Sequence, residues 1–135
     1  MMGKLFVVPG QPQGKARART TNFGSYTPEK TVLYENYIKM CYQQQFKECT
    51  DKPIEISITA CFEPVKSVSK AQRLAMLNNL IPPTKKPDID NIAKVVLDAL
   101  NGIAYKDDKQ VIKLNVYKKY FGRAELIVFI NEAGD

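Results

Sequence analysis

The sequence predicts an α+β fold: a mixed, mostly antiparallel β-sheet packed against two long helices. Three observations carry this. Ile54, Ile56, Ile58, Ala60 and Phe62 alternate strictly with Glu55, Ser57, Thr59 and Cys61, the period of a half-buried strand. Two segments, 28–47 and 88–102, place apolar residues at helical spacing. Two more apolar runs, 111–120 and 124–130, flank a short link around Gly122, which predicts an antiparallel hairpin. At 135 residues the chain is most simply one domain, 1–135, large enough for a core but not for two.

In chain order, residues 5–8 form a short apolar strand stopped by Pro9-Gly10. The stretch QPQGKARARTTNFGSYTPEKT follows, rich in Gly, Pro and alternating basic residues. If extended, it sets Lys15, Arg17 and Arg19 on one side, as a basic arm beside nucleic acid or as a solvated loop. Thr27 can cap the first long helix with Pro28 at its first position, and Tyr34, Tyr37, Ile38 and Cys41 mark its buried stripe. Residues 69–79 predict a short helix capped by Ser67 or Ser69, and IPPTKKP an extended connector, because consecutive prolines forbid helix. Gly102 is a suitable stop for the second long helix. The last strand, AELIVFI, is apolar on both faces and is expected to be central.

Lys and Arg total 20 against 14 Asp and Glu, a formal net charge of +6. Such a surface suits a phosphate-backbone partner, although charge alone also fits a merely basic soluble protein. The chain has no histidine, and its three cysteines (Cys41, Cys49, Cys61) form no CxxC pair. The usual zinc sites, histidine bases and Ser-His or Cys-His nucleophiles are thereby excluded. The odd thiol count and the lack of a signal-peptide pattern point to a reducing, cytoplasmic setting. No apolar run approaches the ~20 residues that cross a bilayer, so no membrane association is expected.

Within this basic chain the run KPDIDNIAKVVLDALNGIAYKDDKQ clusters Asp88, Asp90, Asp107 and Asp108. Hard carboxylate oxygens suit Mg²⁺ or Mn²⁺, and a metal on a nucleic-acid-binding surface is the equipment of a phosphodiesterase. At ~100° per residue, Ile89, Ile92, Ala93, Val96, Leu97 and Leu100 share one helix face, with Val95 near its boundary. Asp90, Asn91, Lys94, Asp98 and Asn101 share the other. Asp88 and Asp90 diverge in regular helix, but converge if Asp88 occupies the extended cap position after Pro87. The plainer alternative is that Asp88 only caps and Asp90 only pairs with Lys94. Asp107 and Asp108 enter the next strand, where neighbours face opposite ways, so one of the two is expected at the site.

K-P-D-I-D-N, Lys94, L-D-A-L-N-G and D-D-K-Q-V together resemble the RusA-like family of Holliday-junction resolvases, and G-K-A-R-A-R with Y-T-P-E-K-T and the Y-E pair at Tyr34-Glu35 resembles its N-terminal half. The resemblance runs from about Val8 to Tyr120. It implies a metal-dependent endonuclease, found in bacteria and their prophages, that acts in recombination and repair. It carries the metal ligands over to Asp88, Asp90 and Asp108, with Asp107 as the alternative third ligand, and the active-site lysine to Lys94. It also implies a homodimer presenting two sites to four-way junction DNA. Lys15, Arg17, Arg19, Lys85 and Lys86 are the candidate backbone contacts. The competing readings are a binding protein whose acidic cluster is structural, and a flap or fork nuclease of the same chemistry.

Overall fold

The computed structural model describes residues 3–133. A four-stranded sheet is built from β1 (Lys4–Pro9), β4 (Ile54–Phe62), β5 (Val111–Tyr120) and β6 (Glu125–Glu132) in the order β1-β6-β4-β5. The β1–β6 and β6–β4 pairs are antiparallel and β4–β5 is parallel. The sheet is therefore mixed and mostly antiparallel, as the patterning predicts. β6 lies inside it, although only one of its two apolar faces is covered: Phe129 is exposed.

The expected hairpin of β5 and β6 does not form. β4 inserts between them, because its inward residues, Ile54 to Phe62, are all buried and both its edges gain a ladder. Residues 121–124 cross the end of β4 instead of turning back. Two strand spacings amount to ~10 Å, which four extended residues span easily. The Phe121 amide donates to the Phe62 carbonyl at 2.9 Å and the Ala124 amide to Glu63 Oε1 at 3.3 Å.

The helices α1 (Glu29–Gln43) and α3 (Ile89–Leu100) pack against each other, with α1 contacting β1 and α3 contacting β5. In α1, Tyr34, Ile38 and Cys41 are buried as expected, and Tyr37 packs against the core edge. Pro28, not Thr27, takes the cap position, its extended ψ of 143° letting its carbonyl accept from Thr31 and Val32. The helix stops at Gln43, four residues short of expectation: the Lys47 ammonium donates to the Gln43 carbonyl and the Tyr42 hydroxyl to the Glu48 carbonyl. The short α2 (Lys70–Leu77) is capped by Ser69, which accepts from the Gln72 amide at 3.1 Å. Within the basic arm lies a small exposed hairpin, β2 (Arg19–Thr21) and β3 (Gly24–Tyr26), that the sequence pattern does not announce. Among the described residues no helix is long and apolar enough to cross a membrane.

Candidate active site

The buried face of α3 consists of Ile92, Val95, Val96, Ala99 and Leu100. This face is rotated from the one expected: Val95 is fully buried, whereas Ile89 is 45% exposed. Ile89, Ala93 and Leu97 instead form one wall of a recess of about 470 Å³, facing Leu114 and Val116 of β5. Its polar side carries Asp90, Lys94 and Asp98 from α3 and Asp108 from the loop before β5. A one-turn repeat of polar residues thus runs beside an apolar strip, and the edge strand β5 leaves the groove between them open.

Asp88 occupies the cap position of α3 in extended geometry (φ −69°, ψ 151°), but its side chain makes no capping hydrogen bond. Among the described residues, neither Asp88 nor Asp90 forms a salt bridge, and Lys94 forms none either. Neither the side-chain cap nor the Asp90–Lys94 pair of the plainer assignment is formed. Asp88, Asp90, Asn91 and Lys94 line a second recess of about 480 Å³ with Lys15, Ala16 and Arg17 of the basic arm. Asp90 and Lys94 form the ridge shared by the two recesses.

Asp107 and Asp108 do not sit in a strand. Asp108 opens a 3₁₀ turn, Asp108–Gln110, and Asp107 precedes it with its amide donating to Gln110 Oε1 at 2.8 Å. Asp108 lines the recess; Asp107 lies 4.0 Å from the Lys109 ammonium. Hydrogen bonding to the Asp107 carboxyl, then desolvation and the charges of Asp107 and Asp98, hold Asp108 above the usual carboxylate range, with Lys94 opposing. The buried Tyr105 hydroxyl donates to the Leu97 carbonyl at 2.7 Å, and its pKa is raised by burial and then by Asp108, Asp98 and Asp107. Asp98 and Asp108 therefore share one recess, with Asp107 just outside it.

The basic residues separate into three placements. Arg17, Arg19 and Lys86 surround an open recess of about 540 Å³, joined by Lys30, which the sequence reading missed. Lys85 is exposed, and its carbonyl accepts from the Lys118 ammonium. Lys15, expected beside Arg17 and Arg19, is turned inward: its Nζ lies 2.8 Å from Glu35 Oε2 and 3.2 Å from Asp98 Oδ2. Strand alternation does not apply there, because β2 begins only at Arg19 and the Lys15 amide is tied to the Asn91 carbonyl at 2.8 Å. Burial works against the Lys15 ammonium, but its hydrogen bonds to Glu35 and Asp98 outweigh that and raise its pKa.

Residues 9–131 match the family of the endodeoxyribonuclease RusA. The chain belongs to that family. The uncharacterized protein YqaN of Bacillus subtilis (strain 168) is 34% identical to it over 134 residues, covering 94% of either chain. The RusA family is one of endodeoxyribonucleases, so the acidic recess lies in a chain of DNA-cutting type.

The donor chemistry of this RusA-family site suits a hard divalent cation, because its acidic side chains offer only carboxylate oxygens. Among the described residues, however, no three acidic, histidine or cysteine side chains gather closely enough to hold an ion. Asp90 and Asp108 share one recess, and Asp88 lies on the other side of the Asp90–Lys94 ridge. Asp98, one turn beyond Lys94, is the recess residue that the sequence reading left out; its position eight residues after Asp90 was the available signal. Glu35 comes from another helix, and its signal was the Y-E pair at Tyr34-Glu35, part of the resemblance of the N-terminal half.

Proposed function

We propose that the protein is a Mg²⁺-dependent endonuclease, with Mn²⁺ as a substitute, that resolves four-way DNA junctions in recombination and repair by paired phosphodiester hydrolysis. The observation that carries this reading is the recess itself: α3 presents Asp90 and Lys94 toward Asp108 in a chain of an endodeoxyribonuclease family. Asp88, Asp90 and Asp108 would hold the metal only by closing on it across the Asp90–Lys94 ridge, and a bound divalent ion would supply activated water and charge stabilisation at the leaving oxygen. Lys94 carries an ammonium without a salt bridge among the described residues, on the same helix face as Asp90, and is placed to bind a non-bridging oxygen of the scissile phosphate. The apolar wall of Ile89, Ala93 and Leu97 lowers the local dielectric, which strengthens that contact relative to water. Arg17, Arg19, Lys85 and Lys86 contact the DNA backbone and set its position without reading sequence.

Cleavage of a four-way junction, a fork and a linear duplex, compared at equal salt with Mg²⁺ and with a chelator, tests the reading. Paired nicks in the junction, abolished by chelation and by Asp88→Asn or Asp90→Asn while junction binding persists, are the expected result. Equal cutting of all three substrates would make it a less selective nuclease. Tight junction binding without cleavage in Mg²⁺ or Mn²⁺ would make it a binding protein.

A further inference from the structure

Lys15 differs from every other cation of the basic arm. Its side chain is only 17% exposed, and its Nζ sits between Glu35 of α1 and Asp98 of α3. The main chain at Lys15 is fixed to α3 as well, through the bond from its amide to the Asn91 carbonyl at 2.8 Å. Two of its three ammonium donors are engaged by carboxylates, and that paired charge is a poor contact for a phosphate.

The consequence falls on Lys94. Lys94 and Asp98 are four residues apart on one helix face and line the same recess, the spacing at which Lys and Asp ordinarily pair. They form no salt bridge here; Asp98 is taken by Lys15 instead. We infer that Lys15 is a positioning residue for cleavage: by occupying Asp98 it leaves the Lys94 ammonium available to the scissile phosphate. It also keeps an uncompensated carboxylate from facing that phosphate. The inference rests on the phosphodiesterase reading above, and assigns Lys15 a part other than backbone contact.

The test compares the wild-type chain with Lys15→Met, Asp98→Asn and the double variant. Single-turnover cleavage at saturating junction is measured in Mg²⁺, and acylation of Lys94 is measured by mass spectrometry without DNA. Lys15→Met should slow cleavage about tenfold with junction affinity little changed, the mark of lost transition-state interaction. It should also slow Lys94 acylation, because a salt bridge to the released Asp98 would hold the amine away from the reagent. Removing the competitor in the double variant should restore both. If Lys15→Met is unfolded by thermal melting, the double variant against wild type decides, since it leaves Glu35 as the one carboxylate without its ammonium.

A folded double variant that neither cleaves nor shows a reactive Lys94 overturns the inference. So does a Lys15→Met variant with normal cleavage at saturation and weaker, less salt-sensitive DNA binding, which would make Lys15 a direct phosphate contact. A wild-type chain that cuts no DNA would remove the nuclease reading while leaving the acylation pattern intact, so the two failures are separate.

Discussion

Asp107 and Asp108 are neighbours with different employment. Asp107 serves the turn: its amide binds the Gln110 side chain, and Gln110 in turn donates to the Thr50 and Lys52 carbonyls, tying the loop to the chain before β4. Asp108 faces the recess shared with Asp90 and Lys94. Asp108→Asn is expected to bring metal-dependent cleavage below detection, and Asp107→Asn to leave most of it, as measured by single-turnover rates on a junction. The reverse ranking would hand the third ligand to Asp107. The doublet was visible in the sequence, but the reason expected for choosing between its members was wrong. Strand alternation has no hold on residues that open a 3₁₀ turn. The placement of Lys15 beside Arg17 and Arg19 failed in a related way: an alternation of basic residues shows charge along the chain, while its partners Glu35 and Asp98 come from two helices that only the fold brings together.

Elements whose signals are local were legible. The nine alternating residues of β4, the apolar stripe of α3 and the Ser69 cap of α2 each follow from a few adjacent side chains. Features set by neighbours were not. The parallel β4–β5 pair depends on where β6 finds its ladder, and the rotation of α3 depends on how far β5 reaches over it. The docking of the basic arm belongs to the same class, and Gly14 reports it. A Cβ there would lie 2.8 Å from the Asn91 Cβ and 2.9 Å from the Pro87 Cβ, both anchored directly to backbone. Gly14→Ala must therefore push the arm off the start of α3, widening the recess that holds Asp88 and Asp90. A loss of about 1–3 kcal/mol is expected, the usual range for overpacking, together with slower cleavage. Denaturant unfolding and single-turnover rates check the two effects. An unchanged midpoint with normal cleavage would mean that the arm is not seated against α3 in solution.

For the molecule as a whole, the charge pattern and the number of sites set the geometry of action. Resolution of a four-way junction requires cuts in two strands of like polarity, and one chain offers one recess containing Asp90, Lys94 and Asp108. A closed two-fold pair is the simplest assembly that presents two equivalent recesses to a two-fold substrate. Among the described residues, apolar side chains are left uncovered on the sheet and on α1. On the outer sheet face Leu5 pairs across from Phe129, at 53% and 40% exposed; on α1, Leu33 and Met40 are 61% and 48% exposed. Exposed apolar residues of this size are tolerated singly, but grouped on a sheet face they favour burial against a partner. We expect sedimentation at micromolar concentration to give twice the 15.3 kDa chain mass, and the junction complex to contain two chains. Mixing wild-type chains with Asp90→Asn chains should then yield junctions nicked on one strand only, in proportion to the mixed dimer. A monomer at that concentration with junction bound, or paired cuts persisting in the mixture at the rate of single independent nicks, would separate cleavage from dimerisation. The two recesses would then act without a two-fold frame to couple them.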